Sequence, residues 1–176
     1  STNCRWEEVT DLNDIATGDE VVLTMTKGNL VWTILYEKNT STAPNATDVS
    51  DKVEGKYLTQ VNDKYKWVIT KENGNLMFCS YSSNDYYIYC NSSDDGVRIG
   101  STDNATTNQT FIIEGNYLKN VKTSRYVGIS FNTTPYSWRC YTVTTSVIKD
   151  QTLKFYKKVC LPNNISRVTY SVGAGD

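Results

Sequence analysis

The chain has no histidine among its 176 residues. That removes serine–histidine and cysteine–histidine nucleophile activation, imidazole base catalysis and histidine-ligated metal centres. Chemistry then falls to carboxylates and thiols. Glycoside hydrolysis needs two acids about 5–10 Å apart across a sugar-sized cleft, and Glu7-Glu8, Asp19-Glu20 and Asp94-Asp95 are the candidate pairs. Consecutive strand residues face opposite ways, so none of these pairs converges readily on one bond. Asp94-Asp95 sits in a Ser-Ser-Asp-Asp-Gly turn and lacks the alternating acidic spacing that gathers oxygens around calcium. Of the five cysteines, Cys4, Cys79, Cys90, Cys140 and Cys160, only Cys140 follows a base, Arg139, and its neighbours Trp138 and Tyr141 are core-like. No C-x-x-C pair occurs. The expectation is a protein that is not an enzyme and holds neither metal nor cofactor.

Aromatic rings are the remaining signal: 13 Tyr, 4 Trp and 4 Phe stand against 2 Met, more than a core of this size consumes. Tyr81, Tyr86 and Tyr87 bracket the polar stretch that ends in Asn84-Asp85, and Tyr136, Trp138 and Arg139 follow Asn132-Thr133-Thr134-Pro135. Sugar rings stack their C–H faces on Tyr or Trp while Asn, Asp and Arg bond the hydroxyls, so these eight residues form a candidate glycan platform. The same rings would also anchor a protein partner. Packed alternately, as Tyr87 and Tyr89 would be, they would simply fill and cover a barrel.

Lys+Arg total 18 and Asp+Glu 19, with no run of five like charges, which argues against nucleic-acid or anionic-membrane partners. No apolar stretch reaches 18 residues, so membrane insertion is not expected. Seven N-x-[ST] sequons occur, at Asn39, Asn45, Asn91, Asn104, Asn108, Asn132 and Asn164, consistent with glycosylation or with plain turn chemistry. If oxidised, Cys4 with Cys160 would tie the ends together and Cys79 with Cys90 would cross a hairpin turning near Asn84-Asp85. The alternative is five small buried thiols. The opening Ser1-Thr2-Asn3 reads as trimmed, and residues 161–176 read as a tail or linker stub after a single domain over 1–160.

The elements that must hold these residues are strands. Apolar, β-branched and aromatic runs recur at about twelve places from Glu20-Met25 to Leu153-Lys158, separated by turns such as Lys27-Gly28-Asn29, Asn73-Gly74-Asn75 and Glu114-Gly115-Asn116. Only Trp6 to Ile15 offers a short amphipathic helical turn, and Asn39 to Val53 reads as a long polar insertion. Three segments, 21–32, 67–78 and 111–121, share a strand–Gly-Asn–strand pattern, and the aromatic strand starts Trp67, Phe111 and Phe155 are evenly spaced by 44 residues. Three pseudo-repeats of 40–45 residues with four strands each predict an all-β, β-trefoil-like barrel, with a β-sandwich as the alternative.

The opening Trp6-Glu-Glu-Val-Thr-Asp-Leu with Gly18-Asp-Glu-Val-Val-Leu23, and the close Trp138-Arg-Cys-Tyr141 with Leu153-Lys-Phe-Tyr-Lys-Lys158, resemble the two ends of an uncharacterised module. That module recurs in secreted and surface-anchored multidomain proteins of gut Bacteroidales. Lys56-Tyr-Leu, Trp67-Val-Ile and Arg125-Tyr-Val-Gly128 are similar to its internal elements. The resemblance implies an extracellular or cell-surface accessory domain with no catalytic residues to carry over. Together the readings predict a monomeric, non-catalytic binding or adhesion module whose partner is a glycan. A protein–protein interaction or spacer domain of a larger surface protein is the alternative.

Overall fold

The computed structural model describes residues 2–37, 41–91, 94–101 and 108–162. Alternation builds the barrel. In β7 (Lys66–Glu72) and β8 (Asn75–Ser80), Trp67, Ile69, Leu76 and Phe78 point inward and are buried, while their neighbours face out. Gly74 and Gly115 take φ of +83° and +61° at the tight reversals between β7 and β8 and between Glu114 and Tyr117, backbone that residues with a Cβ adopt only under strain.

β2 (Glu20–Lys27), β7, β8, β11 (Phe111–Glu114), β12 (Tyr117–Asn120) and β15 (Thr152–Pro162) pair in that cyclic order. The ring closes where the Leu153 amide donates to the Asn116 carbonyl at 2.8 Å. Three hairpins cap it: β3 (Leu30–Ile34) with β4 (Ala46–Asp48), β9 (Tyr86–Cys90) with β10 (Val97–Ser101), and β13 (Tyr126–Ser130) with β14 (Ser137–Tyr141). Six barrel strands and three capping hairpins, four strands to a unit, make a β-trefoil, and a closed barrel leaves no long edge open to aggregation.

The threefold repeat has a phase. Trp67, Phe111 and Phe155 each lie in the closing barrel strand of a unit and are all fully buried, so their even spacing is the repeat itself. Around them Phe78 packs edge-on to Phe111 and stacks on Phe155, both at 5.9 Å. The Gly-Asn pattern is less faithful. Gly74 and Gly115 join one unit to the next, whereas Gly28 turns β2 into β3 within the first unit, so segment 21–32 is out of register with the other two.

Two additions surround the trefoil. Thr2–Glu8 is a strand, β1, not the start of a helical turn, because it pairs along its whole length with β15. Only Leu12–Asp14 coils, as a 3-10 turn capped by Asp11. The polar insertion contributes β4 and is followed by a small hairpin, β5 (Val53–Glu54) and β6 (Tyr57–Leu58), which pairs with β1. Under it lies a second small core of Val22, Val31, Val49, Leu58 and Tyr156.

Cys4 and Cys160 are directly opposite in the β1–β15 register and form a disulfide. The Cys79–Cys90 pairing does not form, because the register sets Cys79 opposite Tyr87, three residues short of Cys90. The Cys79 thiol donates instead to the Asn84 carbonyl at 3.2 Å, while Cys90 is sealed in the core. β15 runs on to Pro162; the rest of the expected tail lies outside the described residues.

Candidate functional site

The structure divides the eight ligand-site residues read from the sequence between two units. Tyr81, Asn84 and Asp85 are exposed on the β8–β9 turn, with the Lys66 ammonium 4.8 Å above the Tyr81 ring. Tyr86 is half-buried 6.0 Å from Tyr36, and Tyr87 is half-buried against Cys79, with burial raising its phenol pKa. On the third unit, Trp138 is fully buried and its indole N–H donates to the Thr33 carbonyl at 3.1 Å, so no ligand can stack on it. Arg139 bonds Ser137 through Nε at 3.1 Å. Tyr136 is the member of the set that joins an open aromatic cleft.

That cleft, about 480 Å³, lies between the first and third units and is lined by Lys27, Gly28, Leu30, Trp32, Phe131, Tyr136 and Asp150. In β3 the alternation sets Trp32 on the face of Leu30 and Ile34: Ile34 is sealed in the main core, Leu30 is exposed beside the turn, and Trp32 between them packs against the core and stays part-exposed. The β13–β14 connection brings in Phe131 and Tyr136. Their ring centres are 4.9 Å apart and lie 5.5 and 5.4 Å from Trp32, all three pairs edge to face. The Trp32 indole nitrogen is buried without a partner, so the ring offers carbon, not a donor, to solvent. The Lys27 ammonium sits 5.1 Å over Phe131, and Leu30, 47% exposed, extends the apolar floor.

The walls are fixed. Amides of Ala46 and Trp138 donate to carbonyls of Tyr136 and Pro44, both at 2.8 Å, stitching the third unit's hairpin tip to the first unit. Below Asp150, Gln151 is buried and its amide clasps Ile129 twice, accepting from its N–H at 2.8 Å and donating to its carbonyl at 2.7 Å. Ile148 is fully buried, and its carbonyl accepts from the Tyr117 hydroxyl at 2.8 Å. Lys27, Leu30, Trp32, Phe131 and Asp150 went unread in the sequence. Trp32 was nearest to legible, a ring close to a Gly-Asn turn at the end of a short strand.

The acidic pairs have structural work. Asp94 accepts from the Asn91 side chain and the Gly96 amide, which lower its pKa, and Asp95 pairs with Arg125. Glu114 accepts from the Tyr126 hydroxyl and pairs with Lys119, which hold its carboxyl below the usual range. Among the described residues no three His, Cys, Asp or Glu side chains gather as metal ligands. Of the sequons, Asn45 and Asn132 are exposed and Asn91 is half-buried. Asn108 is buried, with its amide given to the Cys90 carbonyl, while Asn39, Asn104 and Asn164 lie outside the described residues.

No family model matches the chain, and no curated protein matches it. Its fold has counterparts among solved structures. A Polyporus squamosus lectin, bound to the human-type influenza-binding epitope Neu5Acα2-6Galβ1-4GlcNAc, aligns over 81% of this chain and 50% of its own, with 16% identity and a TM-score of 0.55. A mosquitocidal holotoxin aligns over 82% of this chain and 18% of its own, at 14% identity and TM-score 0.54. The cytolethal distending toxin of Actinobacillus actinomycetemcomitans aligns over 77% and 89%, at 12% identity and TM-score 0.52. At such identities the likeness is one of fold: the chain is a β-trefoil of the kind seen in lectins.

Proposed function

We propose that this β-trefoil is a non-catalytic carbohydrate-binding module acting outside the cell, and that it holds its glycan in the Trp32–Phe131–Tyr136 cleft. One observation carries the reading. Three mutually edge-on, part-exposed rings line one cleft, with the hydrogen-bonding groups of Lys27, Tyr136 and Asp150 around them. A pyranose presents an apolar C–H face and an equatorial belt of hydroxyls, and this is the complementary surface. The likeness to a lectin fold adds to it, and the Cys4–Cys160 disulfide fits an oxidising, extracytoplasmic setting. An accessory role within a larger surface protein of gut Bacteroidales follows from the sequence resemblance; it and a monomeric state belong to the same proposal.

Exposed Leu30 beside the rings supports a second reading, a protein partner anchored in the same cleft. A broad glycan array separates the two. Saturable binding competed by free sugar is the expected result, and Trp32→Ala and Tyr136→Ala each weaken it at least tenfold, about 1.4 kcal/mol. Tyr86→Ala leaves it unchanged. Silence across the array sinks the glycan reading and leaves the protein partner. Loss on Tyr86→Ala but not on Trp32→Ala moves the site to the β8–β9 turn.

A further inference from the structure

Among the acids of the described surface, Asp150 is the one that lines the aromatic cleft. Its backbone is left-handed, with φ of +63°, and it stands exposed at the mouth of the aromatic cleft. Among the described residues no cation lies within ion-pair distance of its carboxylate. Its backbone is held. Ile148 on one side is locked into the core, and Gln151 on the other clasps β13, so two anchors within three residues set the direction of the chain at Asp150. An ionised carboxylate that is exposed and without an ion-pair partner at the rim of three rings only accepts hydrogen bonds. Among the described residues lining the cleft the one cation is Lys27, which rests against the face of Phe131 and sits on a flexible stem.

We propose that Asp150 is the specificity-determining residue of this cleft: it selects sugars that present hydroxyl or ammonium donors at the edge of the stacked ring and rejects sugars that carry a carboxylate there. This rests on the carbohydrate reading of the cleft and names the class of sugar within it. A neutral pyranose stacked on the aromatic floor offers two neighbouring hydroxyls that donate to the two carboxylate oxygens, and an amino sugar adds a charge-assisted donor. A uronic or other acidic sugar in the same pose brings a second acceptor-only anion against the first. To neutralise it, Lys27 would have to leave its ring and lose that contact.

The test uses the whole chain and matched pairs of oligosaccharides that differ in one group. Galactose- is set against galacturonate-terminated, and glucose- against glucuronate- and glucosamine-terminated oligosaccharides, each titrated calorimetrically into the wild type, Asp150→Asn and Trp32→Ala. Asn accepts left-handed backbone readily, so Asp150→Asn keeps the fold, which an unchanged melting temperature verifies. The expected result is a preference of at least tenfold for the neutral or amino member of each pair, falling to within about threefold in Asp150→Asn. An equal or reversed preference in the wild type overturns the proposal. So does an unchanged ratio in Asp150→Asn when Trp32→Ala still abolishes binding, and that outcome leaves the cleft standing as a sugar site. If no oligosaccharide binds, or if Trp32→Ala binds them all as well as the wild type does, the carbohydrate reading of the cleft falls and takes Asp150 with it.

Discussion

Tyr156 carries a hydroxyl into the small core beneath β1 and β6, where it is fully buried and finds no hydrogen-bond partner. Burial, and then the nearby charge of Glu8, push its pKa up to about 12 from 10.0. Between those two values the unfolded phenol ionises while the folded one stays neutral, so unfolding releases a proton and stability declines as pH rises through that window. Tyr156→Phe removes both the stranded hydroxyl and the titration. At neutral pH it is expected to be neutral or up to about 1 kcal/mol more stable in urea unfolding, and at pH 11 its advantage over the wild type widens. The thiols give a second residue-level readout. Burial raises the Cys79 thiol, and burial together with the neighbouring Cys140 thiol raises Cys90 further. In the native protein at pH 7.5, Cys79 should label slowly and Cys90 and Cys140 not at all, whereas in denaturant without reductant three thiols should label. At this scale the sequence was half legible. It showed that rings were in surplus, but Trp32 and Trp138 both stand inside short five-residue strands. Which one stayed part-exposed was decided across units, where Trp138 is buried with its indole N–H given to the Thr33 carbonyl of the first unit.

Among the elements, the loop ahead of β15 is held by close approach rather than by length. Gly128 in the middle of β13 lets Ile148 lie against the strand, where a Cβ would come within 2.4 Å of the Ile148 methyl. Gly128→Ala is therefore expected to cost about 1–3 kcal/mol through overpacking, seen as a lower urea midpoint. It should also loosen the mouth of the cleft, so glycan affinity falls with no ring removed. Gln151→Leu should do the same, because it strands the amide and carbonyl of Ile129. Strands flanked by Gly-Asn or Asn-rich turns were readable as strands. β1 was not, since Trp6-Glu7-Glu8 sits in a helix-like stretch and only its full-length pairing with β15 reveals an extended strand. β4 was not either, because Ala46-Thr47-Asp48 is too short and polar to signal itself before the β3 ladder recruits it.

For the molecule as a whole, the even spacing of Trp67, Phe111 and Phe155 was enough to indicate a threefold closed barrel, because each fills the same station of the core. The inter-unit cleft was out of reach of the same reasoning. It is assembled from chain stretches around Trp32, Tyr136 and Asp150 that meet only when the barrel closes. Closure also sets the weight of the one disulfide. Cys4 and Cys160 are 156 residues apart, and in the chain-entropy picture a loop of that length restrains the unfolded state by about 5 kcal/mol. The double variant Cys4→Ser/Cys160→Ser should lose stability of that order, measured as the shift in unfolding free energy in urea. Glycan binding should survive at temperatures where the fold does, since the cleft lies on other strands.

The same cross-link shapes how the domain would carry load. The described chain enters at Thr2 and leaves at Pro162 side by side, and the bridge joins the strands two residues further in. Tension applied at both ends of such a chain runs from one strand to the other through a covalent bond and bypasses the barrel. Strung in a longer polypeptide, the trefoil would hang as a side loop on a shackle, gripping its ligand while the line to which it is tied is pulled taut.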